Sequence, residues 1–222
     1  MGLDLNQLIY FAPAFVIAIA VHEASHALSA TLLGDPSPKA AGRLSLNPVR
    51  HLDPLGTITL FLVGFGWGKP VYVNPSAFRI SPRTGMALTA VAGPLSNIVT
   101  ATVFGLFFRF FLFPSAMSGL ATNPGGPSEV MVVALQLVHA IAYINVVLAV
   151  FNLIPLPPLD GFSVLLGILP RQSAMRIAPL AQYGPGALLV LFFFVPFVLK
   201  IDVIGRLIGP PITLIFRTIV GG

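Results

Sequence analysis

Cysteine is absent from this 222-residue chain. That excludes a disulfide framework, a thiol nucleophile and any cysteine zinc site. Charge is scarce as well: Asp, Glu, Lys and Arg make up 9% of the residues, against about a quarter in a soluble globular domain. The net charge of +5 comes without a basic cluster, so the basic residues read as topology signals and not as a nucleic-acid surface. The first seven residues hold Asp4 and no Lys or Arg. The positive n-region of a cleavable signal peptide is therefore missing. No internal repeat or low-complexity linker is present. What fills the chain is apolar, at 56% hydrophobic residues with 18 Phe. The expectation is an all-α polytopic membrane protein, one membrane-embedded domain over 1–222, with about 4–6 transmembrane segments.

The first predicted span covers residues 8–33 and ends at Gly34-Asp35-Pro36. At about 1.5 Å per residue it crosses a hydrocarbon core of about 30 Å. Residues 35–82, with Arg83 just beyond, carry Lys39, Arg43, Arg50, Lys69 and Arg79. The positive-inside rule places this stretch in the cytoplasm and the N-terminus outside. Alternating residues and turn formers predict a small β or re-entrant, membrane-associated element at about 40–80. Within it, Leu55–Phe65 is too short for a span and reads as a strand or a membrane-dipping segment. Further spans are predicted at 84–113, 129–154 and 184–200. Residues 114–128 read as an outside loop. The third span runs into Pro155, Pro157 and Pro158, which cannot continue a helix, with a broken continuation at 159–169. The segment 201–220 is interrupted by Gly205, Gly209, Pro210 and Pro211. This topology puts Lys200 and Arg206 outside, against the charge rule.

The chemistry concentrates in His22-Glu23-Ala24-Ser25-His26. On a helix, residues four apart share a face, so His22 and His26 reach one ion. Glu23, beside them, can touch a water on that ion. This is the two-histidine zinc pattern in which the glutamate is a general base. Three ionisable groups inside a membrane-length helix are costly and mark function. A catalytic zinc takes a third protein ligand. The candidates are Asp160, Glu129, Asp53, His51 and His139. Asp160 is the best placed, at a matching depth after the proline break. His51 and Asp53 read as a turn contact, His139 as a packed histidine, and Asn97 and Asn145 as hydrogen-bonding helix contacts.

His22-Glu23-Ala24-Ser25-His26 on a first membrane helix, with Asn152 through Pro155, Pro157 and Pro158 to Asp160-Gly161 on a later one, resembles the site-2 protease family of intramembrane zinc metalloproteases. Gly93-Pro94-Leu95-Ser96-Asn97 is similar to that family's middle-helix motif. Gly68-Lys69-Pro70-Val71 with Val73-Asn74-Pro75 is similar to its compact prokaryotic branch. The resemblance implies Zn2+ held by His22, His26 and Asp160, with Glu23 as base. It implies Asn152 as a substrate-binding or intermediate-stabilising residue; Asn97 is a second candidate for that role. About 15 residues between the second and third spans are too few for a PDZ domain, and no CBS pair is expected.

The expected function is regulated cleavage of a transmembrane protein substrate in the lipid bilayer. The expected location is an inner membrane, with the site facing the cytoplasm and no nucleic-acid partner. An extended substrate is expected to add as a strand to the 40–75 segment. The alternatives are a membrane metal carrier with the same ligands and an inactive scaffold relative.

Overall fold

The computed structural model describes residues 5–63, 66–122, 126–195, 198, 200 and 202–221. The described residues form helices and turns, with no strand ladder among them. Helix α1 spans Leu5–Leu32. Gly34, at a φ of 115°, ends it in the left-handed conformation that glycine adopts at helix C-termini. Helix α4 starts at Pro82 and runs to Phe107, with Ser81 accepting from the Thr84 amide and Pro in the first turn, the expected start chemistry. Helix α6, Glu129–Asn152, is capped by Ser128. Three helical stretches among the described residues are long and apolar enough to cross a membrane: Leu8–Leu32 in α1, Pro82–Gly119, which begins with α4, and Glu129–Asn152, which is α6.

Helix α4 is the centre of the bundle. It packs on α1, on α6 and on α7, the short helix Asp160–Ile168. Close approach comes from small residues. Ala14, Ala18, Ala27 and Ala30 of α1, Ala101 of α4 and Ala142 and Ala149 of α6 are wholly buried, as in membrane bundles where lipid supplies no hydrophobic drive and close packing must. Arg83, near the start of α4, donates to the carbonyls of Gly167 and Leu169. It thereby ties down the C-terminal end of α7.

Four expectations change. The predicted β element is instead a chain of short helical turns: α2 (Ser37–Ala40), 3-10 turns at Pro48–Arg50 and Pro75–Ala77, and α3 (Pro54–Val63). The only β pairing among the described residues is an isolated bridge between Leu52 and Gly68. Leu55–Phe65 is mostly α3, because Asp53 caps a helix by accepting from the Gly56 amide; Gly64 and Phe65 lie outside the described residues. The outside loop at 114–128 begins as helix. A π-helical turn at Phe108–Leu112 leads into α5, Phe113–Thr122. Pro114 falls at that junction, where the wider turn has already broken the ladder its missing N–H would interrupt. Residues 123–125 lie outside the described residues.

The C-terminal helix, Val203–Val220, is continuous through Pro210 and Pro211. It is preceded by α8 (Arg171–Ile177), a 3-10 stretch, and α9 (Gly184–Leu189) with a π turn at Val190–Phe194, so we call it α10. Of the predicted span 184–200, residues 196, 197 and 199 lie outside the described residues, as does residue 201 of the predicted 201–220 segment. Phe216 meets the rings of His139 and Tyr143, while Ile208 and Ile212 join a cluster with Val146 and Val150. Helix α10 is therefore antiparallel to α6. Its start, with Lys200, Asp202 and Arg206, lies at the Asp160 end of the bundle, which removes the conflict with the charge rule.

The segment between α1 and α4 is lashed to the end of α1. Asp35 is fully buried. Its carboxylate accepts from the amides of Ser37 (2.9 Å) and Asn74 (2.7 Å), and the Arg79 amide donates to Leu33 O (2.8 Å). Burial opposes the charge on Asp35, but the amides of Asn74 and Ser37 and the Ser37 hydroxyl outweigh it and hold its pKa below the usual carboxylate value. A depressed folded pKa means that this tether is fully present above the ordinary carboxylate pKa of about 4 and is lost as pH falls through the folded value. Asp35→Ala is accordingly expected to raise amide exchange at residues 37 and 74 about tenfold near neutral pH. Wild type should approach the same rates only in acid. Unchanged exchange in the variant would contradict the tether.

Candidate metal centre

His22 and His26 lie one turn apart on α1, buried to 4% and 9% exposure. Their Nε2 atoms are 3.0 Å apart. Asp160 Oδ2 sits 3.1 Å from His22 Nε2 and 3.2 Å from His26 Nε2. Among the described residues this is the one group of three or more such side chains whose ligand atoms converge.

The protonation of each imidazole follows from its other nitrogen. His26 Nδ1 is 2.7 Å from the Thr89 carbonyl. A carbonyl only accepts, so Nδ1 carries the proton. His22 Nδ1 is 2.6 Å from Asn97 Oδ1. The Asn97 amide cannot be flipped, because its Nδ2 donates to Ala18 O and to Asn145 Oδ1. His22 Nδ1 is thus also the protonated nitrogen. With the rings neutral, both Nε2 atoms are bare lone pairs aimed at each other and at a carboxylate oxygen. Asp160 Oδ2 is buried with no hydrogen-bond donor. Three converging acceptors with no proton between them fit a cation. Nitrogen and oxygen ligands about 2.0–2.1 Å from a tetrahedral zinc lie about 3.3 Å from one another, close to the observed separations.

The fold builds this triangle from three helices. Asp160 is the first residue of α7, following an extended Leu159 and the turn after α6. Its Oδ2 accepts no hydrogen bond from the backbone there, and the carboxylate faces the histidines. Gly161 lets that turn close: a Cβ there would lie 2.2 Å from Leu153 O. Gly93 does the same for α4, where a Cβ would lie 2.5 Å from His26 Nε2 and 2.6 Å from His22 Cε1. Glu23 is 8% exposed, and its Oε2 accepts from the Val71 amide at 3.2 Å.

The other candidates lie elsewhere. Asn97 is behind His22 and touches the ring from the side away from the triangle. Asn145 backs Asn97 and donates to Ile141 O. Asn152 is half-buried, and its amide donates to Leu148 O of its own helix. His51 is buried with Nε2 on Ser45 O, Asp53 caps α3, Glu129 opens α6, and His139 lies between the Phe108 and Phe216 rings. The sequence reading missed the Thr89 carbonyl, because a backbone acceptor leaves no sequence signal.

Residues 10–192 match the profile of Peptidase family M50. YwhC of Bacillus subtilis, described as a candidate zinc metalloprotease, is 36% identical over 188 residues, 85% of this chain and 82% of that protein. Rip2 of Mycobacterium tuberculosis, described in the same terms, is 30% identical over 184 residues, 80% of this chain and 64% of that protein. The Rip2 of Mycolicibacterium smegmatis is 26% identical over 179 residues. No solved structure matches the chain.

Two substitutions test how the centre is built. Gly93→Ala should lower zinc affinity at least tenfold, since the added methyl meets both imidazoles. Asn97→Leu should cost 10–100-fold, the usual loss when a ligand's outer hydrogen-bond partner is removed. Zinc titration against a competing chelator measures both. Wild-type affinity in either variant would refute the corresponding assignment.

Proposed function

The chain belongs to peptidase family M50, the site-2 proteases, and is a zinc metalloprotease of that type; from that premise we propose that it cuts transmembrane segments of other membrane proteins within the bilayer, in regulated intramembrane proteolysis. The observation that carries this reading is the convergence of Asp160 on His22 and His26 of a membrane-length helix, with Glu23 beside them. A site held at that depth meets peptide that is itself in the membrane.

His22, His26 and Asp160 are the proposed ligands. When bound, zinc supplies a Lewis acid that acidifies water and polarises a peptide carbonyl. Glu23 takes the proton of the attacking water and delivers it to the leaving amine. Asn97 orients His22 and keeps its Nε2 unprotonated; Thr89 O does so for His26. Stabilisation of the developing oxyanion by Asn152 requires release of its bond to Leu148 O. Burial of Glu23 and both histidines excludes bulk water and strengthens each of these interactions.

The whole chain 1–222 acts as one membrane-embedded domain, with α10 as a fourth crossing. The metal centre opens toward the cytoplasm. Charge supports that orientation: Lys39, Arg43, Arg50, Lys69, Arg79, Arg83 and Arg206 lie at the Asp160 end, while Arg109 and Arg217 lie at the other. A substrate adding as a strand to the 40–75 segment would have to use backbone groups other than the Val71 and Asn74 amides, which Glu23 and Asp35 already hold.

Glu23→Gln tests the reaction. It should reduce cleavage by at least 1000-fold while one zinc remains bound. Membrane peptides absent from wild-type cells should accumulate in cells carrying the variant. Retained proteolysis in Glu23→Gln would sink the assignment of Glu23, and metal flux surviving with no peptide change would point to a carrier.

A further inference from the structure

We propose that Arg43 is a positioning residue for Glu23, acting through the Pro70–Val71 peptide unit; the proposal rests on Glu23 being the base. Arg43 follows α2 and is 7% exposed. An arginine that deep needs partners for its fork of donors. It finds three backbone carbonyls, those of Arg50, Lys69 and Pro70, the last at 2.9 Å. None of the three is a carboxylate. The guanidinium therefore brings a full positive charge to neutral backbone from two separate loops.

The Pro70 carbonyl is the informative partner. The Pro70–Val71 bond is not among the cis bonds of the chain, so its C=O and N–H point in opposite directions from one rigid plane. Arg43 holds the oxygen end. At the other end the Val71 N–H donates to Glu23 Oε2 at 3.2 Å. One peptide unit is thus gripped by a cation on its oxygen and a carboxylate on its N–H. Charge at both ends polarises the amide and strengthens both hydrogen bonds. Fixing Oε2 sets the plane of the Glu23 carboxylate and so where Oε1 is presented.

The neighbouring contacts make this unit stiff. The Lys69 amide donates to His51 O at 2.7 Å and the Asn74 amide to Asp35 Oδ2 at 2.7 Å. Gly68 lies so close to α1 that a Cβ would fall 2.8 Å from Ile19 Cγ2 and 3.5 Å from Glu23 Cγ. Loop stapling alone would be served by Arg50 O and Lys69 O. The third bond, to the one carbonyl whose peptide reaches the base, assigns Arg43 its further role.

Two readouts on the purified full chain decide it. The first is amide exchange at Val71. It should rise at least tenfold in Arg43→Gln and in Glu23→Ala. Unchanged exchange in Arg43→Gln overturns the proposal irrespective of any activity. The second is turnover of labelled casein in detergent with zinc bound. Arg43→Gln should lower kcat about tenfold, with KM within twofold and one zinc retained. Arg43→Lys, which keeps charge but not the planar fork, should fall between. Val71→Pro removes the N–H itself, and the double variant Arg43→Gln with Val71→Pro should fall no further than Val71→Pro alone. Multiplied losses, loss of zinc, or a rise in KM with kcat intact would each show a merely structural role and overturn it. Equal casein turnover by wild type and Glu23→Gln would instead overturn the protease reading and leave the exchange result to stand by itself.

Discussion

One side chain joins the three membrane-length helices at the metal centre. Asn97 of α4 accepts from His22 on α1, and donates to Ala18 O on α1 and to Asn145 on α6. It is wholly buried, where an unpaired amide costs several kcal/mol in a lipid setting. All its partners must therefore be present together. The geometry of the bundle and the tautomer of a proposed zinc ligand are settled by the same three hydrogen bonds. Displacing α4 from α1 leaves both an unpaired amide and a misdirected imidazole.

The same coupling explains where glycine is required. Gly93 sits one turn before Asn97 and faces both imidazoles, and Gly161 follows Asp160 and faces the end of α6. Each sits where helix or turn backbone must approach within the width of a methyl group. The three proposed ligands come from α1 and α7, and α4 lies between their supports. Arg83 fixes the far end of α7 on α4, so the depth of Asp160 is set from a residue almost eighty positions earlier in the chain.

The segment between α1 and α4 shows what sequence pattern misjudged. Lys69-Pro70-Val71-Tyr72-Val73-Asn74 alternates as a strand would, and the segment forms neither helix nor strand. But Pro70 has no N–H, and the amides of Lys69, Val71 and Asn74 are taken by His51 O, Glu23 and Asp35. A strand needs a neighbouring strand, and here the partners are side chains and a single bridge. In the same way Leu55–Phe65 reads as a strand or a membrane-dipping segment by length, yet Asp53 starts a helix there that runs to Val63. Local capping chemistry outweighed apolar periodicity in so short a run. The prolines of the last segment misled in the opposite direction. Pro210 and Pro211 lie within a continuous helix that packs its Ile208, Ile212 and Ile219 side on α4 and α6.

The sequence by itself determined the chemistry. A histidine pair at helical spacing, a glutamate beside it and an aspartate after a proline break leave few other readings in a chain so poor in charge. It also determined the three long helices α1, α4 and α6, because each carries an apolar run of membrane length; the apolar run at 184–200 misled, since it begins as a short helix and a π turn. Tertiary structure alone decided which nitrogen of each histidine is bare and which way Asn97 faces. It also decided that the 69–74 segment closes over Glu23 through Arg43 and the Pro70–Val71 peptide. Those features depend on carbonyls, amides and close approaches between residues far apart in the chain. Every residue carries a carbonyl, and every one but proline an N–H, so only the folded arrangement shows which of them meet.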